Sequence, residues 1–362
     1  MLDATCTPQI LEHLHKSLTH TVYDTKWIPG TANFVAVGQH ARGTGCLQVY
    51  QLEGADAVVA RSIDGKSGYK CSHFGAGSVS APRLAVGTFD GKLQVWDLEQ
   101  PKAPLVDVQA HASIVNAIDG FGGQSYGYGP PELVSCGRDG CVRVWDVRQH
   151  DAPVAAFEPA DSSNSGEVED CWCVAIGNSH DNEERCVLAG YDNGDVKMFD
   201  LRMNKLRWEM NVKNGVCGVQ FDRRDIPMNK FVVTCLESQF HVFDARTQHP
   251  HKGFASVSQA ISTGSTLWGA HHMPQNRDAV MLAAGDGSVS LWKYQYPDQR
   301  KVKDQDGKEL GVAGSVQQLA YRSLSSQPIN SFDWSPDKQG LFVCSALDQC
   351  LRVGFVTKLN KL

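Results

Sequence analysis

The stretch ELVSCGRDGCVRVWDVR, residues 132–148, limits most what this chain can become, because much of the remaining sequence repeats it. Its first half alternates apolar and small residues. Arg138-Asp139-Gly140 then carries hairpin-turn chemistry, and Val142, Val144 and Asp146 bracket Trp145 in a second alternating run. Six more hairpins align on the same aromatic: 34–52 around Tyr50, 83–99 around Trp96, 186–202 around Phe199, 231–246 around Phe243, 280–296 around Trp292, and 341–357, where Gly354 takes the aromatic's place. One further apolar strand precedes each hairpin, at 22–27, 69–74, 115–120, 171–176, 216–221, 267–272 and 329–334. Such a unit cannot bury its faces alone and must stack on its neighbours.

The aligned positions lie 46, 49, 54, 44, 49 and 62 residues apart, near the roughly 40 to 45 of one four-stranded WD blade. Seven units fill the 362 residues. The expected architecture is therefore all-β, a seven-bladed WD-repeat β-propeller forming one domain over residues 1–362. The last blade runs out of chain soon after Thr357, one strand short, while residues 8–16, PQILEHLHK, alternate like a strand with no neighbour. An N-terminal strand completing the last blade closes the ring and removes two open sheet edges. Three connectors depart from the pattern: the Gly- and Tyr-rich 120–131, the acidic 158–170, for which disorder is the first expectation, and 297–325. The last reads as an excursion between blades six and seven and a candidate partner surface.

With 42% hydrophobic residues, 20% charged residues and a net charge of -6, the chain has material for a large core and no electrostatic case for nucleic acid. Twelve cysteines sit mostly at apolar strand positions, which points to reduced thiols. Cys171-Trp172-Cys173 should place two thiols on one strand face with nothing nearby to complete a metal site, so neither metal nor cofactor is expected. No apolar leader or 18-residue apolar run occurs, so a soluble intracellular protein without signal peptide or membrane span is expected.

Catalytic look-alikes fail on context. Gly123-Gln124-Ser125-Tyr126-Gly127 matches a nucleophile elbow, yet no helical periodicity follows it. Asp64-Gly65-Lys66-Ser67 lacks the upstream glycine of a phosphate loop, and His271-His272 and His249-Pro250-His251 lack zinc-protease spacing. No catalytic residues are expected. His111, Ser135, Asp139 and Trp145 instead resemble the structural tetrad of a WD blade, a polar relay that satisfies the buried indole N–H. Other blades keep pieces of it, such as Asp90 with Trp96 and Asp286 with Trp292.

Longer phrases narrow the resemblance. YDNGDVKMFDLR (191–202), RWEMNVKNGVC (207–217), FDRRDIPMNK (221–230), HVFDARTQHPHKGFASVS (241–258), SFDWSPDK (331–338) and the closing VTKLNKL resemble the WD-repeat proteins of the axonemal dynein assembly factor and co-chaperone adaptor family. The resemblance implies a non-enzymatic cytoplasmic adaptor, monomeric alone, that works with the RuvB-like ATPase and prefoldin-like co-chaperone complex and has axonemal dynein heavy chains as clients. Association with the cilium or flagellum is the secondary expectation for its location, and neither nucleic acid nor membrane is an expected partner. A second resemblance runs through Trp145-Asp146-Val147-Arg148, echoed at 199–202 and 243–246. It matches the WDxR signature of substrate receptors of cullin-RING ubiquitin ligases, against the reading that Arg148 simply pairs with an acid at the blade end.

The second residue of each inner strand is Tyr23, Lys70, Asn116, Trp172, Cys217, Trp268 or Asn330, a position expected at the mouth of the central channel. The residue before the hairpin-turn acid adds Phe89, Arg138, Tyr191 and Leu347. Large aromatics and Arg on a solvent-facing ring are typical of binding hot spots. Trp172, Trp268, Tyr191, Arg138, Phe89 and Lys70 thus form the expected protein-binding rim, the alternative being that Trp172 and Trp268 fold down onto neighbouring blades.

Overall fold

The computed structural model describes residues 7–78, 80–121, 132–149, 151–159, 168–177, 185–222 and 229–359. Seven antiparallel four-stranded sheets form the blades of a β-propeller. Their inner strands are Thr21–Trp27, Tyr69–His73, Val115–Phe121, Cys171–Gly177, Val216–Phe221, Leu267–Met273 and Ile329–Trp334. Each packs beside the next, and the seventh returns to the first, so the ring is closed. Alternation explains the packing: in Glu132–Gly137 and its equivalents both faces are apolar because each blade is covered on both sides by its neighbours.

The expected closure is present. Gln9–Ser17 runs antiparallel to Cys350–Thr357 as the outer strand of blade seven, with Gln9 opposite Thr357 and Ser17 opposite Cys350. Ile10 and Leu14 are its buried residues, joining the core beneath blades six and seven and the core beneath blades seven and one. A β-bulge between Glu12 and Leu14 makes this switch of face possible. Lys16 Nζ reaches Asp56 of blade one at 3.0 Å, and Arg322 of blade six donates to the Ile10 carbonyl at 3.0 Å. Gly354 is a requirement rather than a defect. A Cβ there would run into the Phe342 ring, which is stacked on Phe332 with centroids 5.0 Å apart.

The excursion expected over 297–325 is shorter than its reading. Ser315–Ser323 is the outer strand of blade six, paired along Ser288–Gln295; its SVQQLAYRS pattern buries little beyond Leu319, so no clean alternation marks it. What remains is a small hairpin, Lys301–Lys303 with Glu309–Gly311, docked on blade five. Arg300 anchors it by donating to Asp244 (Nε to Oδ2, 2.7 Å) and Asn229 (3.1 Å), with its guanidinium 4.9 Å from the Tyr296 ring. His249 meets Asp304 at 3.1 Å on the other side. Asp244 is only 1% exposed, so its carboxylate depends on this partner. We expect Arg300→Ala to cost about 1–3 kcal/mol, less than a fully buried pair because the guanidinium is partly hydrated. Trypsin should then cut faster after Lys301 and Lys303; unchanged melting and cleavage together would refute the docking.

Cys171 and Cys173 do not share a face as expected. A bulge between them sends Cys171 into the core between blades three and four and Cys173 into the core between blades four and five.

Candidate protein-binding rim

That bulge recurs in every blade. The register of each inner strand shifts across one residue near its start, between Val22 and Asp24, Tyr69 and Cys71, Val115 and Ala117, Cys171 and Cys173, Val216 and Gly218, Leu267 and Gly269, and Ile329 and Ser331. The residue left out of the ladder is always the one that alignment put at the channel mouth. A bulge re-aims a side chain and releases it from pairing, and all seven of these residues line the mouth of one central cavity of about 750 Å³.

The seven do not behave alike. Asn116 and Asn330 turn sideways, donating to the Cys171 carbonyl (2.9 Å) and the Val22 carbonyl (2.7 Å), and so hold the ring together. Cys217 is half-buried, and burial pushes its thiol up to about 12. The other four face the mouth. The Tyr23 ring meets Phe89 edge-on at 5.1 Å and carries the Lys70 ammonium 5.3 Å from its centroid, while Gln39 donates to its hydroxyl at 3.3 Å. Across the mouth, Arg138 meets Asp170 at 3.4 Å beside Trp172. Burial and the neighbouring Asp192 raise the Asp170 carboxyl despite Arg138. Trp268 is 38% exposed, and Leu347 is exposed on the same cavity.

Tyr191 corrects the expected list. It is 6% exposed with its ring in the core between blades three and four and Lys197 4.9 Å from its centroid, so it is absent from the rim surface. As the last residue of Cys186–Tyr191 it lies opposite Cys171, and its ring fills the interblade space beside the bulge.

Below the mouth lie residues that sequence reading missed. Asp119, Gln220 and Asp333 each stand four residues beyond the first residue of the inner strand's register, and each accepts an N–H from the next blade: Ile176 (2.8 Å), His272 (2.6 Å) and Trp27 (2.8 Å). A lone acid or amide at that position of an apolar strand was the available signal. Asp24 is a denser knot: it accepts from Lys26 Nζ (2.6 Å) on its own strand, from Ser331 Oγ (2.7 Å) of blade seven, and from both Ser72 N (2.8 Å) and Ser72 Oγ (3.0 Å) of blade two. His271 and His272, the vicinal pair, belong to this wall, and burial lowers both to about 3, keeping them neutral.

The tetrad is assembled as expected. Asp139 Oδ1 lies 2.9 Å from His111 Nδ1, His111 Nε2 lies 2.8 Å from Ser135 Oγ, and Trp145 donates its indole N–H to Ser135 Oγ at 3.0 Å. Burial works to raise the Asp139 carboxyl, but hydrogen bonds from His111, the Ala112 N–H and Arg143 hold it well below the usual range. His111 and Ser135 are buried, so this Ser-His-Asp set has no access to a substrate. Blades two and six shortcut the relay: Trp96 donates to Gln94 (3.2 Å) and Trp292 to Ser290 (2.9 Å), two residues back on the same strand, rather than through Asp90 or Asp286. Arg148 folds onto Asp146 with two hydrogen bonds to Oδ2 and one to Oδ1, the pairing at the blade end, while its side chain stays 62% exposed. Ser125 and its flanking glycines lie outside the described residues.

Seven four-stranded blades, the third carrying the full relay, define a WD-repeat propeller, and residues 102–146 match the family described as WD domain, G-beta repeat. Over its full length the chain is 68% identical to dynein axonemal assembly factor 10 of Chlamydomonas reinhardtii, covering 100% of both chains. It is 54% identical to the protein of that name from Homo sapiens over 98% of each, and 25% identical to that of Dictyostelium discoideum over 94% of this chain and 93% of the other. The chain belongs to this family of dynein axonemal assembly factors.

Proposed function

We propose that the protein is a non-catalytic scaffold for the cytoplasmic assembly of axonemal dynein, holding dynein heavy chains as clients beside the RuvB-like ATPase and prefoldin-like co-chaperone complex. The relatives' names support the client class. The observation that carries a scaffold reading is the seven-fold bulge: four of its seven residues, Tyr23, Lys70, Trp172 and Trp268, face the channel mouth in a form suited to a protein partner.

Alanine at Trp172 or Trp268 should weaken a co-chaperone or client partner by about 2 kcal/mol, near a thirtyfold change in Kd, with melting nearly unchanged. A lowered melting temperature with unaltered affinity would instead make both indoles packing residues. The ubiquitin-ligase reading rests on the exposed Arg148 side chain. Affinity purification separates the two: recovery of a ligase adaptor that Arg148→Ala abolishes, with no ATPase recovered, would reverse the assignment.

A further inference from the structure

The blade-one counterpart of the tetrad corner has a different chemistry. His40 stands where blade three has Asp139, and Cys46 where it has Cys141, after a longer turn through Gly43. Tyr50, in the place of Trp145, donates its hydroxyl to Gln48 at 2.6 Å and calls on no relay. Into this corner comes His20, immediately ahead of the inner strand Thr21–Trp27. One nitrogen of each histidine and the Cys46 sulfur all lie within 4.8 Å of one another.

One observation separates this from ordinary packing. His20 is 3% exposed and Cys46 fully buried, yet His20 Nε2 has no hydrogen-bond partner. The His20 and His40 rings meet edge to face, 5.6 Å between centroids at 61°, an ordinary ring contact that brings the two imidazoles side by side. Buried imidazole nitrogens are normally satisfied, and in the tautomer protonated at Nδ1 this Nε2 offers a lone pair to a cation. Two imidazoles and a thiol are the donor set of a borderline-soft cation. Tetrahedral zinc holds its ligand atoms roughly 3.5 Å apart, so the side chains need close by only about an ångström. Asp64, paired across the strands with Cys46, sits 3.4 Å from His40 Nε2, where a carboxylate orients a ligating imidazole.

We propose that His20, His40 and Cys46 bind one zinc ion, with the fourth position open to solvent beside Asp64, and that the ion braces the corner of blade one in place of the hydrogen-bonded relay. Binding forms a bond from sulfur to zinc and releases the thiol proton to solvent.

The test uses the full chain, freed of any metal-binding tag and titrated with cobalt(II) and zinc(II) alone. About one equivalent should bind, with a thiolate-to-cobalt charge-transfer band and the visible bands of a tetrahedral site, and zinc should raise the melting temperature. Cys46→Ser should abolish the charge-transfer band. His40→Ala, at a half-exposed position, should weaken zinc by at least roughly 100-fold, as expected for loss of a ligand when even losing a group that only orients one costs about 10- to 100-fold. An unaltered cobalt spectrum in a folded Cys46→Ser chain, unaltered zinc affinity in folded His40→Ala, or no binding by the unsubstituted chain would each overturn the proposal.

Discussion

A chain lacking residues 9–17 should lose about 5 kcal/mol or more of stability and cease to be monodisperse. Ile10 and Leu14 each contribute about 1.5–3 kcal/mol of burial, and a ladder reaching from Gln9 opposite Thr357 to Ser17 opposite Cys350 disappears with them. That is a large part of the 5–15 kcal/mol typical of a folded domain. The loss also bares the edge of Cys350–Thr357, whose residues Cys350, Leu351, Arg352, Val353 and Val356 are buried. An unpaired apolar edge is a template for pairing between molecules. Thermal unfolding and light scattering read the two effects, and a truncated chain that melts normally and stays monomeric would show that blade seven holds without its fourth strand.

Asp24→Ala is expected to cost about 3–5 kcal/mol, because it strands a mostly buried Lys26 and removes acceptors used by blades two and seven at once. The partial attraction of Asp333 for Lys26 argues for the lower end. The same knot sets a pH window. Burial opposes the charged form of Asp24, but Lys26 and the hydrogen bonds from Ser331 and Ser72 outweigh it and leave the carboxyl lowered. A depressed carboxyl contributes stability above its unfolded pKa of about 4, lost as pH falls through its folded value. Burial likewise opposes charging Lys26, but Asp24 and Asp333 leave it raised, so its contribution is complete below about 10.4 and lost as pH climbs through its folded value. The gap in melting temperature between the native chain and Asp24→Asn should hold from about pH 4 to 10 and close outside it; a gap independent of pH would refute the linkage. His271 and His272, held neutral by burial down to about 3, add a separate loss of stability as pH falls below about 6.5, where the unfolded chain takes up protons the folded ring refuses.

Most of what could be read from sequence was local. A hairpin announces itself within some twenty residues through Asp139-Gly140 and the alternation around Trp145, and blade three keeps every member of its tetrad, so the relay could be named residue by residue. The closing strand was legible because two incomplete edges had to meet. The hairpin on blade five was not: Arg300 and Asp244 are 56 residues apart, and neither pattern mentions the other. Nor did Ser315–Ser323 look like a strand, since an outer strand with one neighbour and mostly exposed residues needs little alternation. The second residues of the inner strands do line the central cavity, yet Phe89 does not, and alignment has no means of seeing that Tyr191 turns inward or that Asn116 and Asn330 are spent on carbonyls of the next blade. The bulge that creates the row exists only in the pairing of two strands. The His20, His40 and Cys46 cluster likewise has no sequence spacing to betray it.

The outer strand of blade seven also fixes an order of events during synthesis. Gln9 and Thr357 are 348 residues apart, and a ribosome adding about 5–20 residues per second needs roughly 20 to 70 s to travel between them. Through that interval Gln9–Ser17 has left the ribosome with its partner still unmade, while the blades behind it can already stack. The ring is therefore a lock thrown last. A factor that holds nascent Gln9–Ser17 would delay closure without touching any finished blade.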